Sequence, residues 1–348
     1  MEAFVQRGYD IFLVADSHTW MVPEVNLIPT KKLPLMNRKN FLQRFVPNSL
    51  KLARILREVD PDLVHLHAQH HYSPGVFLGG FPFILTSWGK EVLELPGADP
   101  ARVFFARFAG NRAHMITVDA ECLKEIWASM AIPENKLTVI PFGVDTKRFN
   151  PNVDGKGIRK KLGFEEEDVV ITSTRPYYKE SHYNISCLLK AIPLVVEKHE
   201  NAKFLIKGAG PLEEYLKRLV HRLNVSSKVC FVGIVGQCEI PKYLAAADIY
   251  VSTCIIDSTS VSLLEAMACG LAPTVTDVPG NREWIVNNNN GFLFPPRSYA
   301  TLAKKLVQLI EDEALRERFG RKCVQIIKEK ATWEDCVSEM ESIYKSLL

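Results

Sequence analysis

The chain has 348 residues, of which 47% are hydrophobic and 24% are charged, and its formal net charge is +3. This length is sufficient for two domains with separate cores, and the small net charge does not indicate a nucleic-acid partner. The eight cysteines form no CxxC pair and no metal-ligand spacing, a pattern that favours a reduced, cytosolic setting over a disulfide framework.

The sequence contains no segment that is typical of a membrane span or a secretory leader. The longest mostly apolar stretch, residues 76–88, is interrupted by Gly79, Gly80 and Pro82, and it is too short to cross a bilayer. The first ten residues, MEAFVQRGYD, lack the basic-then-apolar start of a signal peptide. We therefore expect a cytoplasmic protein, either soluble or peripheral at the cytoplasmic face of the membrane.

Short apolar runs alternate with amphipathic stretches along the whole chain, which is the pattern of an α/β protein. Each half contains six candidate strands, at residues 11–16, 25–29, 63–68, 81–88, 114–119 and 137–143, and at residues 169–174, 203–208, 229–233, 249–254, 272–276 and 291–294. The pattern predicts two doubly wound, Rossmann-like domains, in which ligands bind at the carboxyl ends of the strands.

Residues 150–163, rich in Asn, Pro, Gly and charge, read as a linker that contains a short basic helix. We therefore predict an N-terminal domain of residues 1–147 and a C-terminal domain of residues 148–331. The tail, residues 332–348, has apolar residues at helical spacing, and we expect this helix to pack back on the N-terminal domain.

The chain opens within what reads as a helix that stops at Gly8. A doubly wound domain normally begins with a strand, a Gly-rich turn and a helix. We therefore expect the first strand of the N-terminal domain to be missing from this sequence; the alternative is a rearranged sheet.

Residues 31–57 contain eight Lys or Arg and no Asp or Glu, with Leu and Phe interleaved. Such a stretch suits an anionic membrane surface or a lipid-linked ligand, and the alternative is a solvated helix face. No nucleic-acid-binding motif accompanies it, so we predict no nucleic-acid partner.

Polar residues follow two strands of the first half. The histidines of the HLHAQHH run have neither the HExxH spacing nor that of a zinc finger, so we predict no metal site there. We expect Gln69 and His70, at the end of one strand, and Trp88, Gly89 and Lys90, at the end of another, to line a binding cleft. Plain packing remains the alternative for Trp88.

The run IYVSTCIIDSTSVSLLEAMACG carries the most informative pair of residues, Asp257 and Glu265. The apolar run predicts a buried strand that ends at Asp257, and the hydroxyl residues after it predict the cap of a helix over residues 261–268. Glu265 then lies one turn inside this helix, whose free backbone N–H groups form an anion site. Two carboxylates beside an anion site suit a ligand with both hydroxyl and phosphate groups, such as a nucleotide-sugar.

Two further strand ends in the second half carry residues suited to phosphate. Arg175 and Lys179 follow the strand of residues 169–174, and His182 is the alternative to Lys179. Lys207 precedes a turn in which Gly208 and Gly210 allow close backbone approach. A solvated side chain remains the alternative for Lys207, and an ordinary tight turn for the glycines.

Taken in order, LTVIPFGVDTKRF, TSTRPYYK, IKGAGP, Asp257-x7-Glu265 and MACGLAPTVTDVPGNREWI resemble the retaining glycosyltransferases of family 4, also called glycosyl transferases group 1. The resemblance covers nearly the whole chain and is strongest over residues 137–294. It implies a GT-B fold, with an acceptor-side N-terminal domain and a nucleotide-sugar-binding C-terminal domain facing each other across a cleft. The sequence departs from the family in Asp257, which replaces a Glu, in the absent Gly-rich start, and in Trp88-Gly89, where many members have His-Gly.

The resemblance also implies roles for the candidate residues. Arg175 and Lys179 would contact the diphosphate, Glu265 the ribose hydroxyls, and Asp257 the transferred sugar. Further donor contacts would come from the residues at the neighbouring strand and helix ends, namely Lys207, Gly208, Gly210, Val232, Ser260, Val261 and Ser262. No Asp-x-Asp metal element is present in a suitable place, so we expect transfer without a metal or any other cofactor, with the nucleotide-sugar as co-substrate.

The implied reaction moves a hexose from a UDP- or GDP-linked donor to a glycan or lipid-linked acceptor with retention of anomeric configuration. Two alternatives remain open at this point. One is a non-catalytic nucleotide-sugar-binding pseudoenzyme or partner subunit, and the other is a GT-B nucleotide-sugar epimerase.

Overall fold

The computed structural model describes residues 1–15, 26–29, 41–67, 73–98, 100–178 and 182–348. Residues 31–40 of the basic stretch, together with Gln69, His70 and Lys179, lie outside the described residues. None of the helices in the described ranges is long and apolar enough to cross a membrane.

The described chain is an α/β protein in which all strand pairs are parallel. The strands are β1 Phe12–Ala15, β2 Asn26–Pro29, β3 Val64–His67, β4 Phe83–Ser87, β5 Met115–Val118, β6 Leu137–Val139, β7 Val169–Thr174, β8 Ala202–Lys207, β9 Val229–Gly233, β10 Ile249–Ser252, β11 Ala272–Thr276 and β12 Phe292–Phe294. Each predicted strand is found, and the prediction of doubly wound parallel sheets is confirmed.

The α-helices of the described residues connect these strands. They are α1 Glu2–Val5, α2 Phe41–Val59, α3 Ser73–Gly79, α4 Lys90–Leu93, α5 Pro100–Arg112, α6 Glu121–Ser129, α7 Lys156–Leu162, α8 Ile185–Val196, α9 Glu213–Arg222, α10 Ile240–Ala245, α11 Val261–Ala268, α12 Pro279–Arg282, α13 Tyr299–Glu311, α14 Glu313–Lys330 and α15 Trp333–Leu347. The linker helix α7, the helix α11 and the C-terminal helix α15 lie where the sequence predicts them.

The chain forms two compact units. The first contains Met1–Val118, Leu123–Ile140 and Val337–Leu348, and the second contains Asp119–Cys122 and Pro141–Cys336. The described strands of the first unit form a four-stranded sheet in the order β3-β4-β5-β6 and a separate β1-β2 pair. The part of α15 from Val337 onward packs within this unit, where Tyr344 contacts the ring of Phe4 and its hydroxyl lies 2.6 Å from His65 Nδ1.

The second unit is built on a six-stranded sheet in the order β12-β11-β10-β7-β8-β9. Consecutive residues of a strand point to opposite faces, and both faces of this sheet are buried. Ile171 and Phe204 belong to one apolar cluster, whereas Val170 and Leu205, their neighbours in sequence, belong to another. This double burial explains why the strands of this half read as continuous apolar runs.

The strand order reverses between β7 and β10. From β7 the chain moves outward to β8 and β9, and it then returns to build β10, β11 and β12 on the other side. In open α/β sheets a crevice forms outside the carboxyl ends of the two strands at such a switch point, and ligands bind there. The residues that follow Thr174 and Ser252 therefore lie where a ligand is expected to bind.

Candidate active site

Arg175 lies directly after β7, at the switch point, and its guanidinium is held by the segment that follows β10. Arg175 Nη2 donates to Asp257 Oδ2 at 2.7 Å, to Ser252 Oγ at 3.0 Å and to Ser260 Oγ at 2.6 Å. The strand β10 ends at Ser252, so Asp257 lies on the loop beyond the strand rather than at its last residue. This loop brings the Asp257 carboxylate within hydrogen-bond distance of the Arg175 guanidinium.

The buried guanidinium of Arg175 is only partly satisfied. Its side chain is 10% exposed, and that of Asp257 is 17% exposed. Burial opposes the charge of Arg175, but the nearby Asp257 carboxylate keeps the pKa of Arg175 above its ordinary value. Arg175 Nε is buried and has no hydrogen-bond partner among the described residues, so one N–H of this guanidinium is unsatisfied.

Helix α11 begins next to this ion pair. Ser260 is its N-cap, and the Ser260 hydroxyl accepts from Leu263 N at 3.2 Å. Ser262 is fixed by the Tyr250 hydroxyl at 2.8 Å, while Val261 is 42% exposed. The first N–H groups of a helix have no intrahelical acceptor and attract anions, so the α11 start and Arg175 together form a cationic pole.

Glu265 lies one turn further along α11, in a mixed-charge environment. Burial raises the pKa of Glu265 to about 7, against the opposing influence of Lys207 and Arg148. Burial also lowers the pKa of Lys207, which Glu265 partly offsets. The Lys207 side chain therefore interacts with a carboxylate, and the sequence pattern did not indicate Arg148 as a third member of this group.

The two glycines after β8 are required by close packing against the loop that carries Arg175. A Cβ atom on Gly208 would lie 2.0 Å from the Arg175 carbonyl oxygen, and one on Gly210 would lie 2.5 Å from that of Tyr177. Backbone bonds from Arg175 N to Lys207 O at 3.0 Å and from Tyr177 N to Ala209 O at 2.9 Å fix the same contact. The glycines thus position Arg175 from the β8 side.

The structure adds a buried acid that the sequence analysis did not assign. Asp119, counted with the second unit, accepts from Ser258 Oγ at 2.8 Å, and its carbonyl accepts from Thr259 Oγ1 at 2.5 Å. Burial raises the pKa of Asp119 to about 7, although the Ser258 bond opposes the shift. The only sequence signal was a polar residue after an apolar run.

The other predicted site residues are placed as follows. Val232 is half-buried in β9, and Ile234 beyond it is 85% exposed. In the first unit Trp88 is 51% exposed and its backbone N–H donates to Glu91 Oε1 at 2.5 Å. Gly89 is buried with a φ of 118°, and Lys90 begins α4.

No group of three or more His, Cys, Asp or Glu side chains in the described ranges is arranged to hold a metal ion. The described residues at the switch point bring together a buried cation, helix N–H groups and carboxylates. Such groups stabilise an anionic leaving group by preorganised electrostatics.

Two family models match the chain. The model described as "Glycosyl transferases group 1" matches residues 155–324. The model described as "Glycosyltransferase Family 4" matches residues 1–148.

Three curated relatives illustrate the similarity. The putative glycosyltransferase EpsD of Bacillus subtilis is 30% identical over 371 residues, covering 99% of this chain and 91% of the relative. The uncharacterized glycosyltransferase MJ1607 of Methanocaldococcus jannaschii is 28% identical over 363 residues, with the same two coverages of 99% and 91%. The GDP-mannose-dependent alpha-(1-6)-phosphatidylinositol monomannoside mannosyltransferase of Mycobacterium tuberculosis is 24% identical over 84% of this chain and 77% of the relative.

Two solved structures have a similar fold. Sucrose-phosphate synthase from Thermosynechococcus elongatus has a TM-score of 0.82 at 18% identity, covering 99% of this chain and 91% of that one. Anabaena HepE in complex with UDP-glucose has a TM-score of 0.78 at 18% identity, covering 93% and 86%. These likenesses confirm the predicted GT-B fold.

Proposed function

Because this chain belongs to the glycosyl transferases group 1 of Glycosyltransferase Family 4, we propose that it moves a hexose from a nucleotide-sugar to a glycan or lipid-linked acceptor with retention of configuration. The observation that carries the proposal is the partly satisfied, buried Arg175 beside the start of α11 at the switch point. The negative charge of the leaving group would develop beside the Arg175 guanidinium and the first N–H groups of α11. Donors that are already in place there stabilise this charge electrostatically.

The donor diphosphate binds at this cationic pole. Arg175 Nε supplies a hydrogen-bond donor, and the N–H groups of Val261 and Ser262 at the start of α11 supply others. Fixed cations and N–H groups then neutralise the departing nucleoside diphosphate, so the reaction needs no divalent metal. Lys179 and His182 follow on the same segment of the chain and remain predicted contributors.

Glu265 binds the ribose of the donor through its carboxylate. An ionised carboxylate accepts hydrogen bonds and suits a vicinal diol. Lys207 and Arg148 favour the ionised form of Glu265. Lys207 thus supports ribose binding through Glu265 in addition to its predicted role near the phosphates. Val232, half-buried at the end of the same sheet, provides apolar contact to the base.

The acceptor is a glycan or a lipid-linked molecule. One relative is named for transfer to a phosphatidylinositol mannoside, which supports a lipid-linked acceptor. In the basic stretch, Lys51, Arg54 and Arg57 of α2 are exposed, and we assign this stretch to an anionic membrane surface. Trp88, directly after β4, is an exposed candidate for acceptor contact.

A second function is favoured by one observation, namely that the Asp257 carboxylate is already engaged by Arg175. A shorter acid held by this cation is less able to reach a sugar than the Glu typical of the family. The chain would then bind nucleotide-sugars without turning them over, as a pseudoenzyme or a partner subunit.

Turnover of a donor panel separates the two functions. Release of nucleoside diphosphate is measured for UDP- and GDP-linked hexoses with glycan and polyprenyl-phosphate-linked acceptors, alongside direct binding of each donor. We expect acceptor-dependent release with at least one donor and its loss in Arg175→Gln, whereas Arg222→Gln, on the exposed end of α9, retains it. Binding without release supports the pseudoenzyme, and the absence of both overturns nucleotide-sugar chemistry.

A further inference from the structure

A surface of the first unit exposes aromatic and arginine side chains from two helices, α3 and α5. We call it the aromatic–arginine face and define it by Phe77, Leu78, Phe104, Arg107, Phe108 and Arg112. Phe104 is 62% exposed, Leu78 is 44% exposed and Phe77 is 41% exposed. Isolated exposed apolar residues are common on proteins, but contiguous ones mark an interaction site.

Contacts across the two helices make this face continuous. The rings of Phe77 and Phe108 lie 6.0 Å apart, and the Arg112 guanidinium carbon lies 4.2 Å from the Phe77 centroid and 5.7 Å from that of Phe108. Phe104 and Phe108 are four positions apart on α5, so they share one side of the helix. Arg107 is exposed beside them.

The face is uniformly cationic. Neither α3 nor α5 contains an Asp or Glu. Arg102 projects from the opposite side of α5, where it pairs with Glu94 at 3.5 Å. Arg102, which has an acidic partner, therefore lies away from the face, whereas Arg107 and Arg112 lie on it.

The cationic character extends to α2. Arg57 Nη2 donates to the Leu78 carbonyl at 2.6 Å, which joins α2 to the end of α3. Beyond Arg57 the same helix exposes Arg54 and Leu50, the latter 59% exposed. Among the described α2 side chains, Glu58 is the one acid.

We propose that the aromatic–arginine face binds an anionic lipid bilayer, with Phe77, Leu78 and Phe104 entering the headgroup region while Arg107 and Arg112 contact lipid phosphates. Charge complementarity favours this occupant, because cations without acids match the negative surface of a cytoplasmic leaflet. The large apolar side chains among the cations can insert into the bilayer, which a purely electrostatic contact does not do. The Arg112 guanidinium stacks on the Phe77 ring, which holds a cation directly beside an apolar side chain of the face.

This inference goes beyond the transfer reaction and does not depend on it. It also enlarges the proposed contact of the basic stretch by adding α3 and α5, which the sequence analysis did not indicate. The site residues of the second unit take no part in it, so lipid binding and donor binding can be tested separately.

The test measures partitioning of the full chain onto sucrose-loaded vesicles by co-sedimentation, without donor or acceptor. Vesicles of phosphatidylcholine alone are compared with vesicles in which part of it is replaced by phosphatidylglycerol. We expect binding only to the anionic vesicles, and Arg107→Gln/Arg112→Gln should weaken it roughly 30-fold. The control Lys160→Gln/Lys161→Gln removes the same charge from exposed positions of α7 and should weaken it less than threefold, about the level expected for distant charges.

A second pair of variants separates insertion from charge attraction. Phe104→Ser/Leu78→Ser keeps every cation, and we expect it to lower partitioning at least tenfold at a salt concentration that screens surface charge. The control Val286→Ser/Leu194→Ser changes exposed apolar residues of the second unit, 60% and 39% exposed, and should bind like the parent. Thermal unfolding of all four variants must match the parent, so that lost binding reports the surface.

Three outcomes would overturn the proposal. One is equal binding of the parent to neutral and anionic vesicles, and another is full retention of binding in both variants of the face. The third is concentration-dependent self-association of the parent that Phe104→Ser abolishes, observed by sedimentation velocity, because the face would then join two copies of this chain. Loss of vesicle binding with intact donor binding leaves the proposed transfer reaction unaffected.

Discussion

The Arg175 guanidinium and the Asp257 carboxylate lie 2.7 Å apart although 82 positions separate them in the chain. The contact forms because β7 and β10 are neighbours at the switch point of the sheet, so the segments after their ends meet. Asp257 therefore acts on Arg175 as its counter-ion. A Glu at this position, with one more methylene, would place its carboxylate differently.

Removing Asp257 should destabilise the protein because it leaves a buried cation without its counter-ion. We expect Asp257→Ala to lower the free energy of unfolding by roughly 3 kcal/mol, measured by urea denaturation of the second unit's transition. Asp277→Ala removes an acid from an exposed pair with Arg282, and we expect a loss below about 1 kcal/mol. Equal losses in both variants would contradict the structural role of the Arg175–Asp257 pair.

Glu265 should control donor affinity through its charge. We expect Glu265→Ala to weaken binding of UDP-glucose about 10-fold to 100-fold, since hydrogen bonds to a charged group are lost, measured by isothermal titration calorimetry. Glu239→Ala, an exposed acid paired with Lys242, is the control. Unchanged affinity in Glu265→Ala would rule out the ribose role.

The pH dependence of donor binding provides a second test of the same residue. The pKa of Glu265 is raised to about 7, so its ionised form is gained as the pH rises from 6 to 8. UDP-glucose affinity should rise over this range in the parent and stay level in Glu265→Gln. The diphosphate of UDP-glucose is a diester without a titration in this window, so a slope in both proteins would point to another group.

The sequence predicted the strands well because both faces of the second unit's sheet are buried, which produces unbroken apolar runs. It predicted the start of α11 from the hydroxyl residues Ser258, Thr259 and Ser260, of which Ser260 is the cap, since capping is a local property of three or four residues. It did not predict the pairing of Arg175 with Asp257 or the electrostatic influence of Lys207 on Glu265. Both depend on strand order, and a single sequence does not specify which parallel strands become neighbours.

The hydrophobic pattern also did not predict where β10 ends. The apolar run continues to Ile256, but the strand stops at Ser252. Beyond it, Thr253 Oγ1 donates to the Tyr183 carbonyl at 2.9 Å, and the Cys254 carbonyl accepts from Thr276. Side-chain hydrogen bonds to distant segments thus replace the ladder hydrogen bonds, and the hydrophobic pattern does not reveal such a replacement.

Gly208 should tolerate no side chain, because its backbone packs on the Arg175 carbonyl. A Cβ atom there would lie 2.0 Å from that oxygen, so Gly208→Ala must move the loop that carries Arg175. We expect a loss of more than about 1 kcal/mol in unfolding free energy together with weaker UDP-glucose binding. Gly157→Ala, in α7 with no atom within 4 Å of its added Cβ, should be neutral or stabilising by up to about 1 kcal/mol.

Asp119 should make the protein less stable as the pH rises. Its pKa is raised from 3.8 to about 7 by burial, so its stabilising contribution is fully present below pH 3.8 and is lost as the pH rises through about 7. Asp119→Asn removes this titration, so its free energy of unfolding at pH 8 should exceed that of the parent by up to about 4 kcal/mol. The cost of leaving the Asn amide unpaired would reduce this gain. Thermal unfolding from pH 5 to pH 8 measures the difference, which should shrink towards the acid end. Asp62→Asn, an exposed acid, should follow the parent throughout, and an Asp119→Asn curve parallel to the parent would show that the Asp119 carboxyl does not titrate in this range.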